Sequence, residues 1–214
     1  MDPPMETPTA VEDGRSALAR IGTVAALAIL LGVGVQALVL AAKILAGGEP
    51  SLAGVLADAA AGVAWATVVC AGAAIGVSIS RAPAIAAGLI AALFAPLAVA
   101  AAKAANQVMT AAIGVVGKPA AASLVAISAV KAVEYGLLGF LLASLARRGA
   151  ETAGPYLGAG AAVGLVFGAG VLALKSGAGA AAAELAATAI NEIVFPIGCA
   201  AVVYAGAVAS RAMR

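Results

Sequence analysis

The chain has 214 residues, of which 64% are hydrophobic and 10% charged, and its mean hydropathy is +1.12. That excludes an ordinary soluble domain, which runs at roughly 25% charged. A net charge of +2 is too small to mark a nucleic-acid partner, and the absence of histidine removes the commonest general base and the usual ligand of zinc or haem.

Residues 1–16 (MDPPMETPTAVEDGRS) are polar and acidic with no apolar period. They are expected to form a disordered tail ahead of a single membrane domain over 17–214. The apolar run that follows is too long for the core of a signal peptide, so none is expected. A helix needs roughly 20 apolar residues to cross the hydrocarbon. On that basis six spans are expected: 19–45, 53–80, 84–104, 121–146, 156–175 and 184–208. GGEPS (47–51) is the first turn, since Gly and Pro punctuate helices. Arg81-Ala82-Pro83 is the second turn, with Pro83 suited to a first helical turn. The stretch 106–119 (NQVMTAAIGVVGKP) is open between a longer third helix, an interfacial segment and a loop. ARRGAETAGP (146–155) is an exposed turn.

The fold class that follows is an all-α membrane protein, a polytopic bundle of six transmembrane helices. Six spans place both termini and the 2–3 and 4–5 turns on one side. That side holds Arg15, Arg20, Arg81, Arg147, Arg148, Arg211 and Arg214, whereas the other holds Lys43, Lys103, Lys118 and Lys175. Positive charge favours the inner face, so the N- and C-termini are expected in the cytoplasm. The expected location is a multi-pass protein of a bacterial-type plasma membrane.

The third and sixth spans overlay with Pro96 on Pro196, setting LFAPLAVAAAKAA (93–105) over IVFPIGCAAVVYA (193–205). An odd number of helices per copy would make this a 3+3 inverted repeat of 17–105 and 119–214, built around helices broken at proline. Most of the other matches are alanine on alanine.

Polar groups inside the spans carry the chemistry. A charge there costs about 2.5–3.5 kcal/mol on insertion scales, so its presence needs a reason. Asn191 and Glu192 lie within the last span, and Pro196 deprives the Glu192 carbonyl of its helical donor. In the fourth span, Ser128, Lys131 and Glu134/Tyr135 recur on one face, so Lys131 and Glu134 can pair. Asp58 and Gln36 complete the expected set of ion- or substrate-binding residues. Three carboxyls stand against one ammonium, so a cation or a proton completes the balance. The plainer alternatives are an intrahelical pair that only fixes packing and an Asp58 at the interface.

Gly160, Gly164 and Gly168 form a GxxxGxxxG stripe in the fifth span, and Gly72 and Gly76 do the same in the second. Such stripes let helices approach closely, within the chain or across subunits. Cys70 and Cys199 form no CxxC pair and are expected simply to pack. No metal site, cofactor or catalytic residue is expected.

The run VKAVEYG in the fourth span, followed by AVGLVFG in the fifth, resembles the helices of PrsW-like and CAAX-type intramembrane proteases. The resemblance implies paired glutamates and a histidine. Here only Glu134 occupies such a place, the fifth span has no acid, and the chain has no histidine. No catalytic residue is carried over, and an enzyme is not expected.

The leading expectation is a small transporter or channel, coupled to protons or cations, with a small ion or polar solute as cargo. Its site would lie between the fourth and sixth helices. The alternative is a non-catalytic membrane subunit that packs through its glycine faces, as a homo-oligomer or against a partner protein. The lipid bilayer is the expected surrounding.

Overall fold

The computed structural model describes residues 10–78, 83–114 and 124–212, with side chains described over 22–78, 83–114 and 125–209. Among the described residues there are six helices and no strand. They are α1 (Ala10–Leu45), α2 (Leu52–Ser78), α3 (Ala84–Ala112), α4 (Leu124–Arg147), α5 (Ala153–Gly177) and α6 (Ala182–Ala212). All six contain a segment long and apolar enough to cross a membrane. The protein is therefore a multi-pass helical membrane protein.

The helix α1 begins at Ala10, inside the stretch read as a disordered tail, although its membrane-length segment starts at Gly22. Residues 1–9 lie outside the described residues. The stretch left open after the third span continues as helix to Ala112, and 115–119 lies outside the described residues. So do the side chains of Arg15, Arg20, Arg81, Lys118, Arg211 and Arg214, which enter the charge count.

Local chemistry sets the helix ends. Ser51 accepts a bond from the Gly54 N–H at 3.1 Å and caps α2. The α1 helix stops at Gly47, whose φ of +77° turns the chain into the left-handed region. Its N–H donates to the Ile44 carbonyl at 3.0 Å, and that of Gly48 to Lys43 at 2.8 Å. Those two bonds satisfy carbonyls that the helix end leaves unpaired.

Neither proline breaks its helix. The α3 helix runs through Pro96 and α6 through Pro196, which corrects the expectation of helices interrupted there. A proline removes one backbone bond, and packed neighbours can absorb that loss inside a membrane. Pro196 is fully buried.

The helices form a closed ring in chain order, each touching the next and α6 touching α1. The even helices α2, α4 and α6 also touch one another at the centre. Glycines set the seams. A Cβ at Gly32 of α1 would sit 2.6 Å from Val63 Cα of α2, and one at Gly76 of α2 would sit 2.8 Å from the Ala87 carbonyl of α3. At Gly139 of α4 it would meet the Ala91 side chain of α3 at 2.6 Å. Lipid offers no hydrophobic drive for helix association, so close backbone packing takes its place.

The ring has a two-helix period. Shifting each helix by two maps every contact between helices onto another that exists. Shifting by three does not: α2 touches α4 and α6, but α5 touches neither α1 nor α3 among the described residues. The contacts do not follow the three-helix period expected from the Pro96 and Pro196 overlay.

Candidate functional site

The centre of the bundle holds one ammonium between two carboxyls. Lys131 Nζ of α4 donates to Glu134 Oε2 at 2.8 Å and to Glu192 Oε2 of α6 at 2.6 Å. The Lys131 and Glu192 side chains are 14% and 12% exposed, and Glu134 is fully enclosed. The two carboxyls therefore lie no farther apart than these two bonds laid end to end. Glu134 sits three residues after Lys131, one turn along the same face, as the spacing predicts. Glu192 reaches the pair because α4 and α6 touch. Glu134 Oε1 is buried and has no hydrogen-bond partner among the described residues.

Two aromatic faces complete the surround. Lys131 Nζ lies 5.8 Å from the ring centre of Trp65 on α2 and 5.9 Å from that of Tyr135 on α4. The two rings meet edge to face, with centroids 5.4 Å apart. All three central helices thus contribute to one point. Trp65 is not among the residues that the sequence singles out. Its position was a signal, because tryptophan in membrane proteins concentrates at the interfaces and this one stands mid-helix.

A cavity of about 260 Å³ opens on this point. Lys131, Glu192, Trp65 and Tyr135 line its polar and aromatic end, and Val99, Ala102, Ile127 and Phe195 supply apolar wall. Gln36 and Asn191 close its other end, with Gln36 Nε2 donating to Asn191 Oδ1 at 3.4 Å. Gln36 fits because Gly62 makes room: a Cβ there would stand 2.5 Å from Gln36 Cγ.

Beyond that amide pair lies a second cavity of about 280 Å³, also bordered by Gln36 and Asn191. A third, of about 440 Å³, reaches the α1–α2 turn and the start of α6. Ion pairs line these outer spaces. Lys43 meets Asp58 at 2.7 Å, and Lys175 meets Glu184 at 3.0 Å while also donating to Thr188 at 3.0 Å. The polar surface thus runs from one end of the bundle to Lys131.

The structure divides the expected site residues into two groups. Lys131, Glu134 and Glu192 come together directly, and Asn191 joins Gln36 beside them. Asp58 stands apart. It pairs with Lys43 in the outer cavity, where the two side chains are 41% and 30% exposed. The inner count thus becomes two carboxyls to one ammonium. Lys43 and Lys175 enter the sequence analysis only through the charge count, which does not name their partners. For Lys43 a signal was available, because Lys43 and Asp58 lie on either side of the GGEPS turn that joins their helices.

The backbone carbonyl of Glu192 does not face the cavity. A Cβ at Gly164 of α5 would sit 3.0 Å from it. The same stripe continues along α6, with a Cβ at Gly160 reaching the Pro196 carbonyl at 2.6 Å and one at Gly168 reaching Glu192 Cβ at 3.1 Å. Gly160, Gly164 and Gly168 are thus occupied by a helix of the same chain. Glu192 is held from behind by α5 while its carboxyl points to α4.

Comparison with known protein families, with curated proteins and with solved structures found no match.

Proposed function

We propose that the protein is a small membrane carrier for an ion or small polar solute, coupled to protons or cations, with its site at Lys131, Glu134 and Glu192. One observation carries the reading: an ammonium held between two carboxyls inside a membrane bundle, one carboxyl oxygen being buried without a partner. With both carboxyls ionised the triad holds one net negative charge. A proton on either, or an arriving cation, balances it. Arrival of a cation then releases the proton, which is the elementary step of exchange.

The cavities support this by giving a polar route to the triad from the α1–α2 and α5–α6 turns. In the proposed orientation both termini are cytoplasmic, so the route opens on the opposite side. The carrier needs no internal repeat. It is also not an enzyme in this reading, since none of its parts is asked to break a bond. The alternative of a packing subunit draws no support from the α5 stripe, which is occupied within the chain.

The test is flux in liposomes under an imposed pH gradient, with purified wild type and Glu192→Gln. Wild type is expected to couple cation movement to proton movement. Glu192→Gln is expected to lose flux about tenfold or more, as for a group that acts directly on the cargo. Equal flux in both proteins removes Glu192 from the mechanism. Reporters fused to the C-terminus test the orientation: a reporter active only outside the cytoplasm is expected to be silent.

A further inference from the structure

We propose that the Lys131 cavity binds a small primary ammonium cation, and that the Lys131 side chain is the tethered cation occupying that position when no ligand is bound. The inference deepens the carrier reading by naming its substrate class, and it rests on that reading for the location of the site.

Charge gives the sign of the ligand. Glu134 and Glu192 together outnumber Lys131, and the unpartnered Glu134 oxygen has no proton donor at all among the described residues. The outer cavities add no excess positive charge, because Lys43 and Lys175 each already face a carboxylate. An anion reaching the triad meets two carboxyls that hold its only available ammonium. A cation entering the cavity meets the Glu192 carboxyl on its wall, with the Glu134 carboxyl enclosed behind Lys131, and no free competitor except the lysine itself.

Shape and polarisability give the kind of cation. The ammonium of Lys131 stands near two aromatic rings, at 5.8 and 5.9 Å from their centres. That is the range in which a ring face attracts an organic cation. A bare metal ion instead seeks a shell of oxygens. The apolar wall of Val99, Ala102, Ile127 and Phe195 suits a short alkyl group behind the ammonium. The volume of about 260 Å³ falls below the roughly 300–1,000 Å³ of pockets for drug-sized ligands, so the ligand is small.

Lys131 presents the same chemistry: a primary ammonium on an alkyl stem. Its bonds to Glu134 and Glu192 hold the carboxyls of α4 and α6 together. A free alkylammonium can take over the bond to Glu192, which lines the cavity, and the lysine side chain then has to move aside toward Glu134. Exchange of a tethered for a free ammonium changes no bond count, so the carboxyls are never both left without a counter-ion.

Trp65 is the only tryptophan in the chain and lines the cavity, so its fluorescence reports the occupant directly. The experiment uses the purified full chain in nanodiscs, titrated with ethylammonium chloride, potassium chloride and sodium acetate. Ethylammonium alone is expected to give a saturable change in Trp65 emission. Removing the tethered competitor by Lys131→Ala is expected to tighten that binding about tenfold or more, equivalent to about 1.4 kcal/mol per tenfold. Glu192→Gln is expected to weaken it by a similar factor. Ethylammonium, and not acetate, is expected to raise the melting temperature of Lys131→Ala.

Weaker ethylammonium binding by Lys131→Ala overturns the tethered-cation role, as does a saturable response to acetate. An equal response to potassium overturns the organic specificity. If Lys131→Ala does not assemble, the wild-type titration and Glu192→Gln decide: no saturable ethylammonium response, or one unchanged by Glu192→Gln, overturns the site. Ethylammonium binding without flux in liposomes keeps the site and removes the carrier. Flux without any ethylammonium response keeps the carrier and removes the site.

Discussion

At the scale of the residue, Lys131 decides the character of the bundle centre. It is enclosed with two carboxyls, and removing one member of a buried ion pair strands the charge left behind. Lys131→Met is expected to destabilise the protein by about 3–5 kcal/mol, measured as the loss of folded protein on heating or denaturant titration in detergent. The same substitution in a Glu134→Gln/Glu192→Gln background is expected to cost far less, since no carboxylate is stranded. Equal losses in both backgrounds would assign the effect to packing of the lysine stem. Asp58→Asn is the contrast. Its pair with Lys43 is partly exposed, and such pairs contribute about 1 kcal/mol or less, so its loss is expected to move stability within that range. The pairing of Lys131 with Glu134 was legible in the sequence, because three residues make almost one helical turn. The pairing with Glu192 was not, because it depends on which face of α6 meets α4. Asp58 entered the same expected set as a polar residue of a span, and the structure pairs it with Lys43 rather than with Lys131.

At the scale of the element, α6 is shaped by what lies behind it. The stripe of Gly160, Gly164 and Gly168 lets α5 lie against the stretch from Glu192 to Ile197. Gly160→Ala would drive a Cβ to 2.6 Å from the Pro196 carbonyl and 2.7 Å from Ile197 Cα, both backbone atoms that cannot rotate away. It is expected to lower stability by about 1–3 kcal/mol, the usual range for overpacking, and to reduce flux by displacing Glu192. Gly170→Ala, in the same helix, meets nothing within 4 Å and is expected to be neutral or stabilising by up to about 1 kcal/mol. Thermal unfolding of the two variants side by side separates the packing effect from helix propensity. The sequence identified the stripe but not its partner, since small residues mark closeness without naming the neighbour. It also marked Pro196 as a disturbance. The structure keeps the helix intact and sets the Glu192 carbonyl against Gly164.

At the scale of the whole molecule, α2, α4 and α6 meet at the centre, and each brings a group to the site. The two cysteines report on that arrangement. Cys70 of α2 and Cys199 of α6 are both buried in one packed cluster where the two helices touch. Because the chain has only these two, oxidation with iodine in the membrane is expected to join them within one chain. The crosslink would protect both from maleimide after denaturation, and Cys70→Ser would abolish it. A crosslink between chains, or none, would contradict the contact between α2 and α6.

The sequence by itself determined that the chain lives in a bilayer, how many helices it forms and which of them carry charge. Those properties are local: a run of apolar residues of sufficient length, punctuated by Gly, Pro and Ser, is enough to specify each span. Only the tertiary structure decided which helix faces which. These helices are apolar over most of their surface, and even the polar face of α4 does not name the helix that it meets. In lipid the choice is made by close packing of glycines and by a few long-range ion pairs. For the same reason the two-helix period, the surround of Trp65 and Tyr135, and the union of Lys131 with Glu192 appear only once the ring is closed.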